Sequence, residues 1–194
     1  MGLFLEGPKR IGKSTLLRQQ LIAGNYQVGG FYVQRLLSSC HEVTGFQLCS
    51  AESILIETSS YKWSGEACFL RQIDGQMVPD LEVFENFGRQ LLEQALNQSY
   101  EVILLDEIGG LELQVASFYQ PLLTLLKSSK KIVGVYKSTD NYRQLAIHQQ
   151  LQVEKQRVEL EELMGGSRIV IDQLGTAGKQ VADYLAEPLS DIFF

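Results

Sequence analysis

The chain has 194 residues, 45% of them apolar and 21% charged, which fits a single globular domain with a substantial core and leaves no case for disorder. Its 17 basic against 23 acidic side chains give a net charge of −6, which argues against nucleic-acid binding that depends on a basic, counterion-displacing surface. No apolar run approaches the ~20 residues of a membrane helix.

No basic stretch followed by an apolar run marks a signal peptide, and Glu6 stands where a myristoylation motif carries Ser or Thr. Cys40, Cys49 and Cys68 are odd in number and lack metal-ligand spacing, so reduced thiols in a cytoplasmic protein are expected. In chain order, Leu3-Phe4-Leu5 predicts a short buried strand running into a Gly-rich turn. Ser14 to Ile22 follows as a helix with Leu16, Leu17 and Leu21 on one face and Gly24 as its stop. Val28 to Val33 reads as a second strand. From about 44 to 78 the runs GFQLC, SILIET and ACFLRQI, broken by Gly, Ser and Asp, predict a small antiparallel hairpin insertion.

Leu81 to Leu96 is an amphipathic helix pattern with Asp80 as its N-cap. Glu101 to Asp106 is a nearly continuous apolar strand ending in acid, of the kind buried on both faces of a parallel sheet. A helix over 114–127 and a strand over 131–136 come next. Tyr142 to Met164 is helix-prone but polar, with the composition either of a lid (about 140–165) or of a solvated helix. A strand over 168–171 and a helix over 176–185 end the reading. This alternation predicts an α/β fold: one domain over 1–194, with a mostly parallel, doubly wound sheet and helices on both faces.

The turn after the first strand carries chemistry. Gly7-Pro8-Lys9-Arg10-Ile11-Gly12-Lys13-Ser14 matches G-x-x-x-x-G-K-[ST] at every fixed position, between a predicted strand and a predicted helix. Gly7 and Gly12 let main-chain N–H groups approach phosphate oxygens. Lys13 offers a mobile charge to the β- and γ-phosphates, and Ser14 a hydroxyl to Mg²⁺. The helix beginning there, with Thr15 in its first turn, presents its positive end to the anion. Lys9 and Arg10 either add charge beside the phosphates or lie in solvent. A P-loop protein needs a second element, an acid on a buried strand end, and Asp106-Glu107 supplies it: Asp106 to hold Mg²⁺ through water, Glu107 to polarise an attacking water.

With both elements present, the chain resembles the small P-loop nucleoside-triphosphatases known as thermophile-type or cancer-related, whose core is related to nucleotide kinases. The matching segments are GPKRIGKSTL from Gly7, GGFYVQR from Gly29, GFQL from Gly45, VFENFGRQLLEQAL from Val83 and DEIGGLEL from Asp106. The resemblance implies slow, base-tolerant hydrolysis of ATP, GTP and other triphosphates, with Lys13, Ser14, Asp106 and Glu107 in the roles above. Glu112 also matches, without an assigned role. The chain departs from the family pattern with Arg10 for a usual Gly, Gln34 for an acid and Gly110 for a Lys, and it has no counterpart of a late Asn-Arg-Asp motif.

Transition-state charge is often met by an arginine; Arg35, Arg71, Arg143 and Arg157 are candidates, with Arg35 favoured. Two other functions fit the same motif. One is a kinase acting on a nucleotide or small hydroxyl acceptor. The other is an ATP-regulated binding protein that engages a partner through Trp63, Phe69 and Val78 or through the apolar tail Ile192-Phe193-Phe194.

Overall fold

Strand segments such as Val102 to Leu105 have no polar face to give to water, so they need an apolar layer on each side. The computed structural model, which describes residues 2–55, 67–171 and 175–188, supplies both layers. Among the described residues eight strands form one sheet: β1 (Gly2–Gly7), β2 (Val28–Leu37), β3 (Val43–Ser50), β4 (Cys68–Ile73), β5 (Gln76–Pro79), β6 (Val102–Ile108), β7 (Ile132–Lys137) and β8 (Arg168–Val170). Their order is β5-β4-β3-β2-β6-β7-β1-β8. From β2 to β8 neighbouring strands are parallel, while β3, β4 and β5 extend the sheet as an antiparallel meander from β2.

Successive residues of the central strands serve opposite layers, as the period of two requires. Phe4, Ile103, Leu105 and Ile132 pack toward α2 (Arg89–Asn97), α3 (Ala116–Leu126) and α5 (Glu154–Met164). Leu5, Val102, Leu104 and Val133 pack toward α1 (Lys13–Ala23) and α6 (Ala177–Ala186). Side chains such as Leu92, Leu104 and Leu122 are fully enclosed, each contributing roughly 1.5–3 kcal/mol by leaving water.

The structure extends or alters several sequence expectations. β2 continues four residues past Val33 because β3 pairs antiparallel with it from Phe31 to Leu37. The run SILIET does not begin as a strand: Ala51–Leu55 is a 3₁₀ turn. There Ser53 Oγ donates to Ser50 O at 2.7 Å and shares a hydrogen bond with Tyr32 Oη, while Ala51 and Ile54 enter the core. Local serine bonds of this kind compete with a strand ladder. The rest of that run, Trp63, and the tail Ile192-Phe193-Phe194 lie outside the described residues. α2 is entered through a wide π-type turn, Phe84–Gly88, which the sequence does not announce; Asp80 Oδ1 accepts from Glu82 N just before it. The polar stretch after β7 forms two helices, α4 (Thr139–Gln149) and α5.

Candidate functional site

Parallel register sets Gly7 beside Lys137, and Asp106 beside Val135, so the carboxyl ends of β1, β7 and β6 open onto one cleft, the usual place for a ligand in an open α/β sheet. At Gly7 only glycine fits, because a Cβ would approach Ile171 O to 2.2 Å. Gly12, at φ 96°, turns the chain into α1, which has no side-chain cap. The first-turn amides of α1 are therefore left to an outside acceptor. Between the two glycines, Arg10 adopts φ 65°, the left-handed region that favours glycine.

Lys13 is buried, and its Nζ donates to Gly7 O at 2.9 Å and Pro8 O at 2.6 Å. Burial pulls its pKa down, while the charges of Glu107 and Asp106 push it up. Ser14 Oγ donates to Asp106 Oδ1 at 2.9 Å, joining residues 92 positions apart. Asp106 is enclosed at the end of β6. Burial raises its carboxyl to about 7, aided by the neighbouring Glu107 charge and opposed by the Ser14 hydrogen bond and Lys13. The Asp106–Glu107 peptide bond is cis, and the Glu107 carboxylate forms an ion pair with Lys137 Nζ.

A further set of contacts fixes the backbone around these groups. Glu112 Oε1 accepts from Gly109 N at 2.5 Å and Gly110 N at 2.8 Å, holding the turn after β6. Its burial raises its pKa, and the Gly110 N–H bond works the other way. Arg157 is 5% exposed; it donates to Gly109 O at 2.6 Å and Lys137 O at 2.9 Å and lies 4.6 Å from the ring centres of both Tyr136 and Tyr142. Asn141 Nδ2 donates to Gly7 O at 3.3 Å.

Lys9, Arg10, Gly12, Lys13, Ser14, Thr15, Arg35, Asp106 and Glu107 all line the cleft, whose volume is about 820 Å³. Gly7 and Pro8 sit behind it as carbonyl partners of Lys13, and Ile11 packs against the α1 side of the core. Of the four arginines considered, Arg35 lines the cleft. Arg71 lies in a separate shallow groove beside Ile73 and Val78, Arg143 pairs with Asp140 at 3.8 Å in solvent, and Arg157 is committed to backbone carbonyls. Sequence reasoning missed Lys137 and Asn141. A lysine ending an apolar strand was the one available signal for Lys137, and nothing local marks Asn141.

A glycine-bordered loop at the end of β1, opening a helix that faces an acidic strand end across a mostly parallel sheet, defines the P-loop NTPase class. The chain belongs to the NTPase family, whose model matches residues 2–168. It is 26% identical over 185 residues to nucleoside-triphosphatase THEP1 of Pyrococcus abyssi, covering 93% of this chain and 99% of that one. Over 141 residues it is 30% identical to a cancer-related nucleoside-triphosphatase homolog of Mus musculus, covering 68% of this chain and 72% of the relative. The crystal structure of THEP1 from the hyperthermophile Aquifex aeolicus has the same fold, with a TM-score of 0.60 at 18% identity over 100% of this chain and 97% of the other.

Proposed function

We propose that this chain hydrolyses nucleoside triphosphates, ATP and GTP among them, to diphosphate and phosphate, with Mg²⁺ as cofactor. The observation that carries the reading is the Ser14–Asp106 contact at the mouth of the loop. A hydroxyl and an enclosed carboxylate with an upward-shifted pKa are donors whose charge is incompletely offset by the protein, which suits a hard divalent cation. Mg²⁺ takes few protein ligands and keeps much of its water, so one hydroxyl and one carboxylate are enough to hold it. When bound, Mg²⁺ would offset phosphate charge and polarise the γ-phosphoryl group.

The chain's own residues do the rest. The amides around Gly12 and the first turn of α1 cradle the phosphates. Lys13 exchanges the Gly7 and Pro8 carbonyls for β- and γ-phosphate oxygens. Glu107, steadied by Lys137, orients a water whose oxygen bonds to the γ-phosphorus. The bond to the β–γ bridging oxygen breaks, the diphosphate leaves with that electron pair, and the water's proton passes to Glu107 or solvent. Arg35, on the cleft wall, meets charge on the transferring group.

A cytoplasmic location accompanies this reading, supported by free thiols at Cys40, Cys49 and Cys68. No helix among the described residues is long and apolar enough to cross a membrane. The ligand is the triphosphate, not a nucleic acid. Phosphate release from ATP, GTP, CTP and UTP, with Mg²⁺ and with EDTA, tests the assignment. Glu107→Gln is expected to keep nucleotide affinity and to slow release by about 10²–10⁴, the usual contribution of a positioned base. Release at the wild-type rate in Glu107→Gln would remove Glu107 from the mechanism, and release indifferent to EDTA would remove the metal.

A further inference from the structure

The cleft is larger than a triphosphate tail needs. Its volume of about 820 Å³ is near the top of the roughly 300–1,000 Å³ span of pockets that enclose whole drug-sized ligands. Beyond Asp106 and Glu107 its walls change character, to Val43, Phe46, Phe69 and Met77 from the antiparallel strands. On the phosphate-loop reading above, the triphosphate's γ end lies toward Lys13 and the acids, and its nucleoside trails away from this end.

The order of side chains across the sheet is informative. From β6 outward come the acid pair, then Arg35 on β2, Phe46 on β3 and Phe69 on β4. With strands about 4.8 Å apart, the aromatic wall begins roughly 10 Å from the line of Asp106. Arg35 has no ion pair or hydrogen bond to another described residue, and in register it faces Phe46. α4 joins the two ends into one chamber: Lys9 Nζ donates to Gln144 Oε1 at 3.0 Å at the loop, and Gln149 Nε2 donates to Met77 O at 2.9 Å at β5.

A reacting centre, then a guanidinium with no ion-pair partner among the described residues, then an aromatic wall is the chemical sequence of a phosphate, a sugar and a base. We infer that the far half of the cleft is a second-substrate site that binds a nucleoside monophosphate as phosphoryl acceptor, with its phosphate on Arg35 and its base against Phe46 and Phe69. The inference rests on the phosphate-loop reading above and adds an activity to it. An oxygen of the acceptor's phosphate bonds to the γ-phosphorus as the bond to the β–γ bridging oxygen breaks. The donor departs as diphosphate with that electron pair, and the acceptor becomes a diphosphate. A phosphate monoester is largely ionised at neutral pH, so this attack needs no proton removed. Water reacts in the same place when the acceptor is missing.

The test incubates the full chain with Mg²⁺ and ATP labelled at the γ-phosphate, alone and with AMP, GMP, CMP, UMP or dTMP, and separates labelled diphosphate from labelled inorganic phosphate. At least one monophosphate is expected to draw label into its diphosphate at ten or more times the basal rate of phosphate release. Phe46→Ala is expected to cut transfer at least tenfold with basal release within twofold of wild type. Phe46→Leu, which keeps most of the apolar volume, guards against a folding artefact and is expected to show a smaller loss. Label found in inorganic phosphate alone with all five acceptors, while basal release persists, overturns the acceptor site and leaves hydrolysis standing. Transfer undiminished in both Phe46 variants overturns the aromatic site. Failure of ATP to bind or turn over removes both readings.

Discussion

Arg10 and Asp106 show what individual residues do to accommodate this site. Arg10 sits at φ 65° within the loop, a conformation that costs a residue with a Cβ about 1–2 kcal/mol. Part of that is offset in Arg10→Gly by the greater freedom of glycine in the unfolded chain. The variant is expected to gain about 0.5–1 kcal/mol in denaturant unfolding, and a lower midpoint would contradict the strain argument. Asp106 is displaced from the ordinary 3.8 to about 7, chiefly by burial. Between those values the folded chain holds a proton that the unfolded chain has released, so stability falls as pH rises through that window. In EDTA the wild type is expected to lose melting temperature progressively from about pH 4 to pH 7, and Asp106→Asn to lack this component. Parallel melting profiles for the two proteins would contradict the assignment.

The elements around the site are tied together by contacts of long sequence separation. Through Arg157, α5 is fastened to the backbone on either side of the cleft, at Gly109 after β6 and at Lys137 ending β7. Lys137 in turn holds Glu107. Arg157→Met keeps the apolar stem but leaves two carbonyls unpaired, each worth roughly 1–3 kcal/mol when buried. A loss of about 2–4 kcal/mol in urea unfolding is expected, and a change below about 0.5 kcal/mol would show that α5 is not anchored this way. These same contacts explain what could be read beforehand. The phosphate loop was legible because its glycines, lysine and serine are neighbours in the chain. The acid pair was legible because it ends an unmistakable apolar strand. Lys137 and Asn141 were not, since their partners lie 30 and 134 positions away. Residues 53–55 were misread because a short apolar run with β-branched residues suits a strand and a tight helical turn alike.

For the whole molecule, strand order decides where the chemistry can happen, and apolar strands buried on both faces carry no mark of their neighbours. The sequence pointed to alternating strands and helices, not to β7 lying between the loop strand and the acid strand, nor to the meander walling the far end of the cleft. The charge balance also differs by place. The chain as a whole carries −6, yet Lys9, Arg10, Lys13, Arg35 and Lys137 meet Asp106, Glu107 and Glu112 in the cleft. An acidic protein thus offers anions a locally basic reception. The most direct test of this account is calorimetric titration of Mg²⁺ and a non-hydrolysable ATP analogue into wild type and Lys13→Ala. Loss of charge-assisted bonds of about 1.5–3 kcal/mol is expected to weaken binding by roughly 10- to 150-fold; affinity equal to wild type would contradict the claim that this loop holds the triphosphate.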